Sequence, residues 1–224
     1  MPETIHEQSR LLIQADVAAR TLEHQAAIAP FKLAERHASL NRLNIVGPRP
    51  LAMLAHGDSW FDYPMNGNVP TLFNRTDIVA QLKHLGTPSP LILNVSHHGD
   101  ATTDELAFPK QQRMIDALEN EANWFNGKPD AILFSGGGND IVGDKFCIYL
   151  DFAGGSSTGL NKQRFDLALG AVKASYLELF VFRDRHAPGV PIFAHAYDFP
   201  LPNGVHPICI GPWIKPALAY SGWN

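Results

Sequence analysis

The stretch Leu51-Ala-Met-Leu-Ala-His-Gly-Asp-Ser-Trp60 decides the fold. Its first five residues are apolar, and the run stops at the small polar turn Gly57-Asp58-Ser59. A short apolar run that ends in turn residues predicts a buried strand. A hydroxyl at the tip of such a strand is where an α/β enzyme presents a nucleophile. Ser59 would then need a base for its proton, donors for an oxyanion and a cleft for the substrate.

Three later stretches repeat the pattern. Leu91 to Ser96 stops at His97-His98-Gly99-Asp100, and Asp130 to Ser135 stops at Gly136-Gly-Gly-Asn-Asp140. Pro191 to His195 stops at Ala196-Tyr197-Asp198. Helical periodicity fills the gaps. Ile78, Val79, Leu82 and Leu85 share a face over 77–85, which Gly86 ends. Met114, Ile115, Leu118 and Trp124 give helical periodicity over 111–125, and 164–185 reads as a long helix with Phe165, Leu167, Leu169, Val172, Tyr176, Leu179 and Phe180. Strands alternating with helices predict an α/β fold with a parallel sheet covered on both faces. Ligands bind such sheets at the C-terminal ends of the strands, so all four polar turns are expected on one edge.

The remaining segments frame this domain. Residues 3–43 read as helical, with Leu11, Leu12, Ala15, Ala18, Ala19 and Leu22 at helical spacing. Pro30 is expected to break or kink this segment, leaving a shorter helix from Phe31 to Leu40. Gly47-Pro48-Arg49-Pro50 is a connector. The chain thus divides into a helical extension over 1–45 and a main domain over 46–224. The extension is either a packing layer or an oligomer arm, and its modest apolar stripe favours the packing layer. Residues 141–162 read as a long loop, rich in Gly and Ser near its end. Beyond Phe199 the chain is rich in Pro and Gly, with one helical turn around Lys215 to Tyr220.

Composition narrows the function. Hydrophobic residues make up 45% of the 224 and charged residues 18%, which suits a folded domain. A formal charge of −4 without a Lys/Arg run argues against nucleic acid or an anionic membrane as partner. Cys147 and Cys209 lack any CxxC or Cys/His spacing, so a structural zinc site is not expected. No signal peptide and no membrane span are visible, and a cytoplasmic location is the expectation. The oligomeric state stays open.

The strand ends offer the parts of an acyl-transfer site. Ser59 can supply Oγ and its own N–H, Gly99 a backbone N–H, and Asn139 a side-chain NH₂. Each alone reads as an ordinary turn residue. Together, at successive strand ends, they favour chemistry. Gly57-Asp58-Ser59, Gly99 and Gly137-Gly138-Asn139-Asp140 resemble blocks I, II and III of the SGNH, or GDSL-like, hydrolases. The resemblance covers roughly residues 50–200. It implies a flavodoxin-like three-layer α/β/α fold and hydrolysis of carboxylic or acetyl esters without metal or organic cofactor. It also implies that Ser59 is the nucleophile, that Ser59, Gly99 and Asn139 form the oxyanion hole, and that Asp58 and Asp140 fix turns.

Two departures accompany the match. The family's fourth block, Asp-x-x-His, does not follow residue 140, and no histidine follows His206. The expectation is that the last strand, its helix and the basic histidine lie beyond Asn224. His195 or His206 acting as the base is the competing reading. His195 reads first as a packed or hydrogen-bonded strand histidine. His97 and His98 flank Gly99 and are expected to shape the site, while His56 is expected to pack beside Asp58. Trp60 stands where the family more often has an aliphatic residue, and Trp60, Phe61 and Tyr63 read equally as core or as a pocket lining.

Other functions remain as alternatives. A catalytically incomplete binding module fits the absent fourth block. A binuclear metallophosphoesterase could draw on Asp58, Asp62, Asn139, His97, His98 and His195, but no Asp-x-His pair precedes Gly57. A phosphate loop at Ser135-Gly-Gly-Gly-Asn139 lacks the following Lys-Ser/Thr.

Overall fold

The structure, a computed structural model, describes residues 5–40, 47–63, 77–99, 101–196 and 213–223. In chain order the elements are α1 (Ile5–Leu40), β1 (Ala52–Gly57), α2 (Ile78–Leu82), β2 (Leu91–Asn94), α3 (Thr102–Glu105), α4 (Phe108–Glu119), β3 (Ala131–Ser135), α5 (Gly138–Ile141), α6 (Lys162–His186), β4 (Ile192–Ala194) and α7 (Lys215–Tyr220). Short 3₁₀ turns occupy Glu121–Asn123 and Asp144–Tyr149.

The four strands form one parallel sheet in the order β2-β1-β3-β4. That order is the flavodoxin-like arrangement, in which the chain winds to one side of β1 and then to the other. Side chains alternate across the strands and separate two apolar clusters. Ala52, Leu54, Leu93, Val95, Ile132 and Phe134 face Met114, Leu118, Leu179 and Phe182 of α4 and α6. Met53, Ala55, Ile92, Ala131 and Leu133 face Val79 of α2 together with Phe61. Burial on both faces explains why the strands read as continuous apolar runs. The expected α/β architecture with a parallel sheet is therefore present.

The N-terminal helix departs from expectation twice. It runs as one helix through Pro30, which is solvent-exposed. Proline removes one backbone bond and crowds the carbonyl four residues back. Here both Pro30 and Ala26 face water, which can solvate the freed carbonyl. Nor is the packed face the one expected. Leu11, Leu12 and Leu22 are exposed, whereas Val17, His24, Ile28 and Ala38 are buried. Val17 and Ile28 join the cluster of the sheet and α4, so the helix is a packing layer on β2.

Local chemistry moves the other boundaries. Asp77 caps α2 by accepting from Ala80 N at 2.7 Å, so it precedes the helix rather than starting it. Helix α4 begins at Phe108, earlier than expected, because Pro109 suits the first turn. It stops at Glu119, where Asn120 turns outward and caps the following 3₁₀ turn through Ala122 N. The segment 141–162 is not an unstructured loop. It continues from the last residue of α5, holds the 3₁₀ turn Asp144–Tyr149, closes on itself through a Leu150–Leu160 bridge, and is tied to the chain after α7. Ala153 N donates to Ser221 O at 2.8 Å and Trp223 Nε1 to Asp151 O at 2.7 Å. Among the described residues no helix is long and apolar enough to cross a membrane.

Candidate functional site

All four strands run the same way, so their C-terminal ends share an edge. Because β1 lies between β2 and β3, the Ser59 turn is flanked by the Gly99 turn on one side and Asn139 on the other. The sheet thus gives the three expected donors neighbouring positions.

The β1 turn is built around Asp58, which is buried. Its carbonyl accepts from Phe61 N and Asp62 N at 3.0 and 3.1 Å, and its Oδ1 accepts from Trp60 N at 3.0 Å. These bonds coil residues 58–62 and leave Ser59 half-buried at the strand tip. Gly57 makes this approach feasible. A Cβ there would press on the Ser135 carbonyl and lie 2.8 Å from Ser135 N. Asp58 N then donates to Ser135 O at 3.2 Å, and Ser135 Oγ donates to Asp58 Oδ1 at 2.6 Å.

The β2 end is held from two directions. Asn94 donates to Phe61 O at 2.6 Å and accepts from Ser96 N at 3.1 Å, linking the β1 and β2 turns. Arg20, from α1, donates to Asp62 Oδ1 at 2.9 Å and reaches Ser96 O at 3.4 Å. His97 and His98 stack at 4.4 Å, and His98 Nδ1 lies 3.7 Å from Asp62 Oδ2. Gly99 adopts φ +87, a left-handed conformation natural to glycine, and has open space on its Cβ side.

At the β3 end, Gly137 turns left-handed and starts α5, which carries Asn139 and Asp140. Asp140 Oδ2 accepts from Thr102 N at 2.8 Å. This carboxylate supplies the cap that Ala101 cannot give α3, and it ties the β3 turn to the segment after β2. Tyr176 of α6 donates to Gly136 O at 3.0 Å. Burial, and then the negative fields of Glu105, Asp58 and Asp140, push its hydroxyl up to about 12, so it stays a donor.

The histidines take distinct places. His195, at the end of β4, brings Nε2 to 2.7 Å from Ser135 Oγ, and its ring lies 5.3 Å from Trp60 and 6.0 Å from Phe61. It is hydrogen-bonded, as expected, but lies one residue beyond the strand. His56 is buried, with Nε2 3.0 Å from Glu105 O, and so packs toward α3. His206 lies outside the described residues. Among the described residues no histidine hydrogen-bonds Ser59 Oγ. The aromatic residues after Ser59 divide: Phe61 enters the core, while Trp60 stays 48% exposed beside His195. No three His, Cys, Asp or Glu side chains cluster as a metal site among the described residues.

Ser135, Tyr176 and Arg20 are the site residues that sequence reading does not single out. Ser135 carries a signal only in its register, since it pairs with Gly57 across β1 and β3. Arg20 lies 42 residues from the carboxylate it binds, and nothing local announces the pairing. The chain matches no protein-family model and no curated protein.

Proposed function

We propose that this chain is a serine hydrolase of carboxylic esters, with Ser59 as the nucleophile. The observation that carries the reading is the strand order, which sets the Ser59 turn between Gly99 and Asn139 on one sheet edge. The resemblance of these three turns to the SGNH hydrolases supports the same chemistry. Ser59 Oγ attacks the ester carbonyl carbon while a histidine takes its proton. The oxyanion accepts from Ser59 N–H, Gly99 N–H and Asn139 Nδ2–H. The carbon–oxygen bond to the alcohol then breaks, and the histidine returns its proton to that oxygen. Water hydrolyses the acyl-enzyme in a second round of the same steps.

His195 is engaged with Ser135, so the base is assigned to a histidine outside the described residues, either His206 or one on a longer form of the chain. Half-exposed Trp60 offers an apolar wall to the acyl or alcohol part. The metallophosphoesterase alternative has no described ligand set to draw on.

Fluorophosphonate labelling tests the proposal, on this chain and on any longer chain that contains it. The expected result is one covalent adduct that Ser59→Ala abolishes. Labelling that survives Ser59→Ala overturns the nucleophile. Absence of labelling from every form leaves the binding-module reading in its place.

A further inference from the structure

The contacts around the Ser59 turn close into a circuit. Trp60 N–H donates to Asp58 Oδ1 at 3.0 Å, and Ser135 Oγ stands 2.6 Å from the same oxygen. His195 Nε2 stands 2.7 Å from Ser135 Oγ, and the His195 ring packs on the Trp60 ring at 5.3 Å. The path begins and ends at Trp60, with Ser59 next to it in the chain.

Counting protons fixes the direction of each bond. A serine hydroxyl has one proton to give and lone pairs to accept with, whereas an ionised carboxylate only accepts. A separation of 2.6 Å is typical of a hydroxyl donating to a carboxylate. Ser135 therefore commits its proton to Asp58. Toward His195 it can only accept, so Nε2 must carry the ring proton. Ser135 is 0% and Asp58 1% exposed, so water does not compete for either bond. The Ala196 carbonyl 3.3 Å from Nδ1 only accepts, so that contact calls for a proton on Nδ1 and competes with Ser135 for the tautomer; at 2.7 Å and against a fully buried partner, the Ser135 bond is the shorter and better shielded of the two.

We propose that Ser135 is a positioning residue that locks His195 in the Nε2–H tautomer and, through that ring, sets the Trp60 wall beside Ser59. An Nε2 already protonated and bonded to Ser135 cannot take the Ser59 proton. His195 is thereby a wall and an orienting group rather than the base. The catalytic consequence rests on Ser59 being the nucleophile, whereas the tautomer does not.

Two-bond proton–nitrogen NMR on ¹⁵N-labelled protein reads the tautomer. It is recorded near pH 8, above the ordinary histidine value of about 6.5. His195→Gln assigns the signal. The expected wild-type spectrum shows an Nε2–H ring whose proton exchanges slowly with water. Ser135→Ala is expected to speed that exchange by at least about ten-fold, because the acceptor is gone. An Nδ1–H ring in the wild type overturns the proposal, and this outcome needs no variant to fold. Exchange unchanged in Ser135→Ala overturns it too.

Fluorophosphonate labelling in the same samples separates this inference from the esterase reading. An Nε2–H ring in protein whose Ser59 stays unlabelled, both in this chain and in any longer chain that contains it, retires the nucleophile and leaves the tautomer standing. Where Ser59 does label, Ser135→Ala is expected to slow labelling on the order of ten-fold. An unchanged rate overturns the positioning role.

Discussion

Gly57→Ala is the substitution that most directly probes how the β1 and β3 ends are joined. The new Cβ would lie 2.8 Å from Ser135 Cβ and 2.8 Å from Ser135 N, and would press on the Ser135 carbonyl. Carbon atoms pack at about 3.5–4.0 Å, so the strands must part by roughly 0.7 Å. Both strands are buried there, and overpacking in such a place costs about 1–3 kcal/mol. Gly57 also sits at φ +155, which alanine adopts with strain, adding on the order of 1 kcal/mol. The sum is about 3 kcal/mol, which corresponds to a fall in Tm of roughly 6–12 °C for a domain of this size. Urea titration gives the free energy and differential scanning calorimetry the Tm. A Gly57→Ala protein within about 0.5 kcal/mol of wild type would refute the close-approach argument. It would also remove the reason for a glycine before Asp58.

Three further outcomes follow from the packing and the charges. Arg20→Met should cost about 1 kcal/mol, and a double-mutant cycle with Asp62→Asn should return a coupling of about 0.5–1.5 kcal/mol, since the pair is partly screened. Burial raises the Asp130 carboxyl, but the two Arg49 bonds at 2.8 Å and the Ala52 N–H outweigh it and leave the group below its ordinary value. Its contribution is present above about pH 4 and is lost as pH falls through the folded value, so Asp130→Asn should flatten the acid limb of a stability–pH curve. Burial lowers His24, partly offset by its bond to the Asn123 carbonyl, so stability should fall as pH drops below about 6.5 and the unfolded chain takes up a proton first. His24→Gln should remove that limb in the same titration.

Legibility differed between elements for physical reasons. Strands β1 to β3 are buried on both faces, so their apolar runs stand out without context. Their polar tips stand out because turn residues interrupt those runs. The packed face of α1 was hidden because it mixes Val17 and Ile28 with Arg20, His24 and Gln25, whose polar atoms bind distant residues. Helix α3 has no periodicity to read, and its cap, Asp140, lies 38 residues away. Ser135 looks like one more apolar-strand terminus until its partner Asp58, 77 residues earlier, is placed beside it. The Gly57-Asp58-Ser59 turn is thus readable from the sequence, whereas what holds it in place is readable only from the fold.

Direct mapping of a covalent adduct tests the central claim most simply. Peptide mass spectrometry after fluorophosphonate treatment should place the modification on Ser59, half-buried at the sheet edge, and leave fully buried Ser135 unmodified. An adduct on any other residue, or none on this chain and on longer chains that contain it, would contradict the assignment of Ser59 as the nucleophile.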